Sequence, residues 1–221
     1  MKLIVWDFDG TLVNSRPLIE AGMDHALIAL GLQDRPELRV QWLSYVGLPV
    51  EDGLQRTFGP LDLDPEQVLA VYRSYDWKAN EHLLRPFPGM SELLRELHDL
   101  GQKMAIASSK RSLPLKRQVE SLGWGAYFDP FVTPSEVQFG KPHPESLEVC
   151  LAAHGLEASE ALMIGDTPFD LEMAQRAGVA SVAVGHGFYP QEALLPYQPV
   201  AFAPEVSSLR EILLALVNTR D

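Results

Sequence analysis

The stretch LIVWDFDGT at residues 3–11 decides the fold class. Its first four residues form a short apolar run closed by a glycine turn, a pattern typical of buried strands in parallel sheets. Comparable runs recur at 103–108, 161–165, 180–184 and, more weakly, 200–203. The recurrence predicts a sheet built from segments spread over the whole chain.

The segments between these runs carry helical patterns. Residues 91–100 (SELLRELHDL) place Leu93, Leu94, Leu97 and Leu100 on one predicted face and precede Gly101, a suitable C-cap. Residues 144–154 and 171–177 repeat the pattern before a glycine. Strands that alternate with such helices predict right-handed βαβ units, so the predicted fold class is α/β with a parallel sheet.

Residues 15–84 interrupt this alternation. They show helical patterns at 18–30, 37–45 and 65–82 and no strand pattern, and a stiff segment at 85–89 (RPFPG) follows them. We therefore predict a helical cap domain at 15–84, inserted after the first strand. The α/β core then comprises 1–14 and 85–221, and ligands bind at the carboxyl edge of such a sheet.

Composition narrows the class of protein further. The net charge of −12 argues against a nucleic-acid partner, because phosphate backbones attract basic surfaces. No apolar stretch has the length of a membrane helix, which predicts no membrane partner. Cys150 is the single cysteine, so no internal disulfide can form and a cytoplasmic location is expected.

Polar groups follow the predicted strands at the edge where a ligand would bind. Four carboxylates near one another repel unless a divalent cation and a lysine offset them, and Mg²⁺ prefers such hard oxygen ligands beside a substrate phosphate. One aspartate could then attack phosphorus, a second could act as general acid and base, and a serine could donate to a phosphoryl oxygen. The residues concerned are Asp7, Asp9, Ser108, Lys141, Asp166 and Asp170.

These residues resemble, in order and spacing, the four motifs of the haloacid dehalogenase superfamily. The position of the helical insertion is similar to that in the branch that holds phosphoglycolate phosphatases and β-phosphoglucomutases. The resemblance covers the whole chain and implies a Rossmann-like core. An acid at Asp9, which dehalogenases of the superfamily lack, favours phosphate chemistry over cleavage of a carbon–halogen bond.

The resemblance implies a role for each motif residue. Asp7 would be the nucleophile and a Mg²⁺ ligand, and Asp9 the general acid and base with its backbone carbonyl on the metal. Ser108 would hold the phosphoryl group and Lys141 would balance charge. Gly10 and Ser109 would offer backbone donors to the substrate, and Thr11 would support the acidic loop. Asp166 would bind the metal directly, whereas Asp170 would pair with Lys141 or with a metal-bound water.

Two departures from the family pattern stand out. Many relatives carry Val-Asp-Ser where this chain has Val13-Asn14-Ser15. The missing aspartate charge would affect the hinge or a substrate contact and not the catalytic core. Relatives also often carry Thr-Asn at the positions of Ser108 and Ser109; the hydroxyl is retained here.

The cap offers weaker signals. Residues 47–49 (GLP) resemble the glycine loop that family caps fold over the substrate, and aromatic residues at helical spacing predict a cap core. Five cations are candidate partners for a further substrate anion, although a solvated surface charge is the favoured interpretation of each. The aromatic residues are Trp42, Tyr45, Tyr72, Tyr75 and Trp77, and the cations are Arg16, Arg39, Arg56, Arg73 and Lys78.

The sequence thus predicts a Mg²⁺-dependent phosphomonoester hydrolase that acts on a small phosphorylated metabolite, in the manner of phosphoglycolate phosphatase. A phosphosugar mutase of the β-phosphoglucomutase type is one alternative, and a non-enzymatic binding domain is another. The expected state is a monomer or a homodimer. The physiological substrate and the cap residues that select it are left open.

Overall fold

One six-stranded parallel sheet forms the centre of the protein, as described over residues 1–218 by a computed structural model. The spatial order of its strands is β5-β4-β1-β6-β7-β8, and a two-stranded antiparallel ribbon, β2–β3, lies outside it. This confirms the predicted α/β class. In chain order the strands are β1 (Leu3–Trp6), β2 (Val13–Asn14), β3 (Arg85–Pro86), β4 (Lys103–Ala107), β5 (Phe131–Val132), β6 (Ala161–Gly165), β7 (Ala180–Val184) and β8 (Ala201–Ala203).

Ten α-helices accompany the strands within the described range. The predicted helix at 65–82 is wrong in its second half, because the observed helix ends at Ser74. Leu100 is also not part of a buried face; it is 49% exposed, just past the end of its helix. The helices are α1 (Arg16–Ala29), α2 (Pro36–Leu43), α3 (Val50–Phe58), α4 (Pro65–Ser74), α5 (Met90–Asp99), α6 (Ser112–Ser121), α7 (Glu145–His154), α8 (Pro168–Ala177), α9 (Gln191–Leu194) and α10 (Val206–Asn218).

Alternate residues of the central strands face opposite layers of the core. Ile4 and Trp6 of β1 belong to one buried cluster, with apolar residues of α5, α6 and α10. Leu3 and Val5 belong to another, with residues of α7 and α8. Both faces of β1 are therefore buried, which explains why its sequence is continuously apolar rather than alternating.

Helices α1–α4 contribute a separate buried cluster, and we call these helices, with the segment that leads from α4 to β3, the cap. Met23, Trp42, Leu54, Phe58 and Tyr72 are among its buried residues. The β2–β3 ribbon lies where the chain enters and leaves the cap. The domain boundaries at 14/15 and 84/85 stay a prediction.

None of the helices in the described part of the chain combines the length and the apolar character needed to cross a bilayer.

Candidate active site

The carboxyl ends of three neighbouring strands carry the polar residues singled out above. The backbone N–H of Asp7 donates to the carbonyl oxygen of Ile164 at 2.9 Å, and the N–H of Ser108 donates to that of Val132 at 2.9 Å. These bonds extend the sheet ladder by one residue. They fix Asp7 and Ser108 at one edge of the sheet, beside Asp166, which follows β6.

Lys141 lies between two of the aspartates. Its Nζ is 2.5 Å from Asp7 Oδ1 and 2.6 Å from Asp170 Oδ1, and all three side chains are almost fully buried. Burial lowers the pKa of Lys141, but the carboxylates of Asp170 and Asp7 outweigh it and raise that pKa above its ordinary value. The ammonium therefore stays charged and holds both carboxylates in place.

Asp170 also lies in the first turn of α8. Its Oδ2 accepts from the backbone N–H of Thr167 at 3.1 Å and from the Thr167 hydroxyl at 2.7 Å, while its own N–H donates to Thr167 Oγ1. This reciprocal capping box satisfies donors at the helix start. One oxygen of Asp170 thus accepts from Lys141 and the other caps the start of α8. Both contacts are consistent with a residue that supports the site indirectly.

Asp166 is held from two other loops. Its Oδ1 accepts from the hydroxyl of Thr11 at 2.9 Å, and its Oδ2 accepts from the backbone N–H of Phe188 at 2.7 Å. Burial raises the pKa of Asp166 well above its ordinary value, and the charges of Asp7 and Asp170 add to the increase. Thr11 supports the acidic loop in this way and is not one of the cavity-lining residues described below.

Two glycines let the backbone of neighbouring loops come close to the Asp166 carboxylate. Gly10 has φ of +90°, and a Cβ built there would lie 2.4 Å from Asp166 Oδ2. A Cβ at Gly187 would lie 2.2 Å from the same atom. Gly10 was expected to offer its backbone N–H to the substrate, but that N–H donates to the carbonyl oxygen of Val13 at 2.8 Å. The absence of a side chain at Gly10 instead makes room for the Asp166 carboxylate.

Asp9 has a partner that sequence reasoning missed. Lys110 Nζ donates to both carboxylate oxygens of Asp9, each at 2.9 Å, and both side chains are mostly buried. The backbone N–H of Lys110 also donates to Ser108 Oγ at 3.2 Å, which leaves the hydroxyl proton of Ser108 available to another acceptor. In the sequence Lys110 looks like an ordinary surface lysine after a strand; its only signal is its position in the loop that carries Ser108.

The buried charges fit a divalent cation. Ligand oxygens of Asp7, Asp166 and Asp170 lie within 4.8 Å of one another, and burial raises the pKa of Asp7 to about 7 even though Lys141 opposes the increase. Three carboxylates against one ammonium leave two negative charges, whereas Asp9 and Lys110 balance each other. Hard oxygen ligands with this excess charge suit Mg²⁺.

The glycine loop of the cap is seated on the core. Ser109 donates its hydroxyl proton to the carbonyl oxygen of Gly47 at 2.7 Å. Gly47 has φ of +109°, and a Cβ there would lie 2.8 Å from Thr167 Oγ1. Tyr189 donates to the carbonyl oxygen of Ser44 in the same loop. Ser109 was expected to act through its backbone, but its side chain joins the loop that follows β4 to the cap.

A cavity of about 460 Å³ lies between the cap and the strand ends. Asp7, Asp9 and Ser108 form its floor, and cap residues form much of its wall. Among the aromatic residues predicted to form the cap core, all but Tyr75 also line this cavity. The aromatic lining residues are Trp42, Tyr45, Tyr72 and Trp77.

Two of the five candidate cap cations, Arg73 and Lys78, line the cavity, and Arg73 is paired with Glu51. The other three do not line it: Arg39 pairs with Glu20 and Asp24, Arg16 lies over the ring of Phe188, and Arg56 lies over the ring of the cavity-lining Tyr45. The core loop and α6 supply three more cations, which sequence reasoning did not connect with the cap. They are Lys110, Arg111 and Arg117.

Comparison with known proteins agrees with this geometry. Residues 4–184 match the family described as haloacid dehalogenase-like hydrolase. The chain is 29% identical over 204 residues to pyrophosphatase PpaX of Halalkalibacterium halodurans, covering 90% of each protein. It is 30% identical over 211 residues to a 5'-nucleotidase of Pseudomonas aeruginosa, covering 95% of this chain and 94% of that protein.

A solved structure shows the same architecture. A haloacid dehalogenase-like family hydrolase from Streptococcus pneumoniae superposes with a TM-score of 0.81 at 26% identity, covering 98% of each chain. The fold and site thus define a hydrolase with an aspartate-rich sheet edge. The chain belongs to the haloacid dehalogenase-like hydrolases.

Proposed function

We propose that the protein is a Mg²⁺-dependent phosphomonoester hydrolase that works through an aspartyl-phosphate on Asp7. The observation that carries this proposal is the orientation of Asp7. Lys141 donates to Oδ1 of the carboxylate, and Asp7 is one of the residues that line the cavity. A carboxylate fixed in this way is positioned to attack phosphorus without first reorganising.

Two chemical steps follow from the residues around the cavity. In the first, an Asp7 oxygen forms a bond to phosphorus, the ester bond breaks, and Asp9, protonated when the substrate is bound, gives that proton to the leaving oxygen. In the second, Asp9 takes a proton from water as that water attacks phosphorus, which releases phosphate and restores Asp7. The free hydroxyl proton of Ser108 stabilises the charge that develops on a phosphoryl oxygen.

Asp7, Asp166 and the backbone carbonyl of Asp9 are the proposed Mg²⁺ ligands, with Asp170 supporting them through Lys141. When bound, Mg²⁺ would offset charge on the phosphoryl oxygens and on the buried carboxylates. Lys141 keeps its charge and restrains Asp7 and Asp170.

The proposed substrate is a small phosphorylated metabolite. Relatives of the chain carry different substrate names, a pyrophosphatase and a 5'-nucleotidase among them, so the family resemblance to phosphoglycolate phosphatases does not decide the substrate. Cavity-lining Asp9 and Ser108 favour an ester whose leaving group extends from the sheet edge into the cap.

Phosphate release from a panel of phosphomonoesters, with Mg²⁺ or with EDTA, tests the proposal. The panel includes 2-phosphoglycolate, glucose phosphates, nucleoside monophosphates and p-nitrophenyl phosphate, with pyrophosphate beside it. We expect Mg²⁺-dependent release that Asp7→Asn reduces at least a thousandfold, while circular dichroism of the variant is unchanged. Acid-quenched wild type should carry one phosphoryl group by intact mass, and Asp7→Asn none.

Near wild-type turnover by Asp7→Asn would exclude Asp7 as the nucleophile. Isomerised glucose phosphate without release of phosphate would instead identify a mutase, and the absence of both products would favour a binding domain. The same panel therefore separates the three functions that the sequence leaves open.

A further inference from the structure

The cavity is large even though the cap already contacts the core. Gly47 accepts from Ser109 and packs against Thr167, so the volume of about 460 Å³ does not come from a cap swung away from the sheet. Each water in the liquid occupies about 30 Å³, and the cavity therefore has room for roughly fifteen waters. A phosphoryl group with a two-carbon acid, or pyrophosphate, would displace only a fraction of them.

One wall of the cavity is built from aromatic rings. Trp42 of α2 contacts Tyr72 of α4 with ring centroids 5.3 Å apart, and Tyr72 contacts Trp77 with centroids 4.9 Å apart. Tyr72 lines the same cavity as Asp9, the residue proposed to protonate the leaving group. Such rings favour a planar, largely apolar group through offset or edge contacts.

The cavity lining also contains a buried amide whose oxygen lacks a partner among residues 1–218. Gln118 of α6 lines the cavity and is only 2% exposed, and its Oε1 accepts no hydrogen bond within residues 1–218. A buried amide oxygen without a donor is costly and rare. A half-turn about the terminal bond exchanges its oxygen and nitrogen, so the amide can present a donor or an acceptor to a bound molecule.

We propose that the cavity binds the leaving group of the substrate as a nucleobase, and hence that the phosphatase acts on nucleoside 5′-monophosphates. The aromatic rings of Trp42, Tyr72 and Trp77 contact the base, and the Gln118 amide hydrogen-bonds to its edge. A nucleobase combines a flat apolar face with adjacent donors and acceptors, the pattern that a Gln amide can pair with in two hydrogen bonds. This inference rests on the proposed function.

Two measurements test this specificity. In the first, kcat/KM is measured with the four common nucleoside 5′-monophosphates, phenyl phosphate and 2-phosphoglycolate. We expect at least one nucleotide to exceed 2-phosphoglycolate by more than tenfold. Gln118→Leu, which keeps the volume and removes the amide, should lower the ratio of kcat/KM for that nucleotide over phenyl phosphate about tenfold, mainly through KM. In Lys116→Leu, an exposed position outside the cavity lining on the same helix, the ratio should stay as in wild type.

The second measurement does not depend on turnover. The nucleoside product is titrated into wild type while tryptophan fluorescence is recorded, because Trp42 and Trp77 line the cavity. We expect saturable quenching that Gln118→Leu weakens about tenfold and Lys116→Leu does not. Phosphatase activity with 2-phosphoglycolate or pyrophosphate preferred over every nucleotide would overturn the nucleobase site and leave the hydrolase intact. Silence with p-nitrophenyl phosphate and every other ester would instead overturn the proposed function itself.

Discussion

The Nζ of Lys141 lies 2.5 Å from Asp7 Oδ1, in a site where neither side chain is more than 5% exposed. Asp170 accepts from the same ammonium at 2.6 Å. The Lys141 ammonium, which Asp170 also holds, thus restrains the proposed nucleophile Asp7. Rotation of Asp7 about its side-chain bonds is therefore restricted before any substrate binds.

Loss of this ammonium should destabilise the protein strongly. Lys141→Met leaves Asp7 and Asp170 buried without their cation, and removal of one partner from a buried ion pair costs about 3–5 kcal/mol of unfolding free energy. Lys2→Met is the matched control, because the Lys2 side chain in the Lys2–Glu160 pair is 63% exposed and exposed ion pairs contribute little to stability. Urea unfolding followed by circular dichroism measures both; equal losses would contradict the distinction.

The metal-free protein should become less stable as pH rises. Burial raises the pKa of Asp7 from 3.8 to about 7 and raises that of Asp166 as well, so the folded state holds more protons than the unfolded state across this range. Stability is then greatest below about pH 4 as far as these groups are concerned, and falls as pH rises through 7.

Thermal unfolding in EDTA between pH 5 and 8 checks this expectation. The midpoint temperature should fall by several degrees, and Mg²⁺ should restore it because a cation removes the cost of ionising the buried carboxylates. Asp166→Asn should flatten the EDTA profile. A midpoint that rises with pH in EDTA would show that the carboxylates are stabilised by something other than a metal.

Gly10 should not tolerate a side chain. A Cβ at this position would be 2.4 Å from Asp166 Oδ2 and would force a left-handed φ of +90° on alanine. Displacement of a reacting group by about 1 Å can cost a hundredfold in rate, so we expect Gly10→Ala to lower kcat at least a hundredfold.

Gly31→Ala provides the control, since Gly31 has φ of +70° but a Cβ at this position would meet no atom within 4 Å. It should cost about 1–2 kcal/mol of stability through backbone strain and leave kcat unchanged. Steady-state kinetics and thermal unfolding of both variants separate strain from displacement. Equal kcat values for the two variants would refute the steric role of Gly10.

The bond between Ser109 and Gly47 should contribute to cap closure. Ser109→Ala removes it, and a net contribution of about 0.5–1.5 kcal/mol per hydrogen bond corresponds to a two- to tenfold loss of kcat/KM. Ser207→Ala, an exposed serine remote from the cavity lining, should have no effect. An unchanged kcat/KM in Ser109→Ala would show that this hydroxyl is not needed for closure.

The sequence predicts the central strands well because β1 and β6 are buried on both faces and therefore continuously apolar. It does not reveal β5, which is only two residues long and follows a proline. The predicted continuation of α4 fails because Trp77 leaves the helical path to pack on Gly22, where a Cβ would lie 2.2 Å from the indole. That contact joins residues 55 positions apart, so local periodicity cannot report it.

The site, like the fold, has residues that the sequence predicts and residues that it does not. Asp7, Asp166 and Lys141 come together as their motifs and strand ends predict. Lys110 and Gln118 were not predicted, because a lysine in a loop and a glutamine in a helix are typical of surfaces. Only the packing of the cap and α6 around the cavity makes them part of its lining.

The β2–β3 ribbon has a consequence for the modular construction of the molecule. Asn14 and Arg85 are directly paired across it, so the two points where the cap joins the core are neighbouring residues of antiparallel strands. A two-residue hairpin turn can bridge such a pair. Both covalent connections of the cap to the core therefore lie side by side, so a different helical domain could be joined to the core through the same two chain ends.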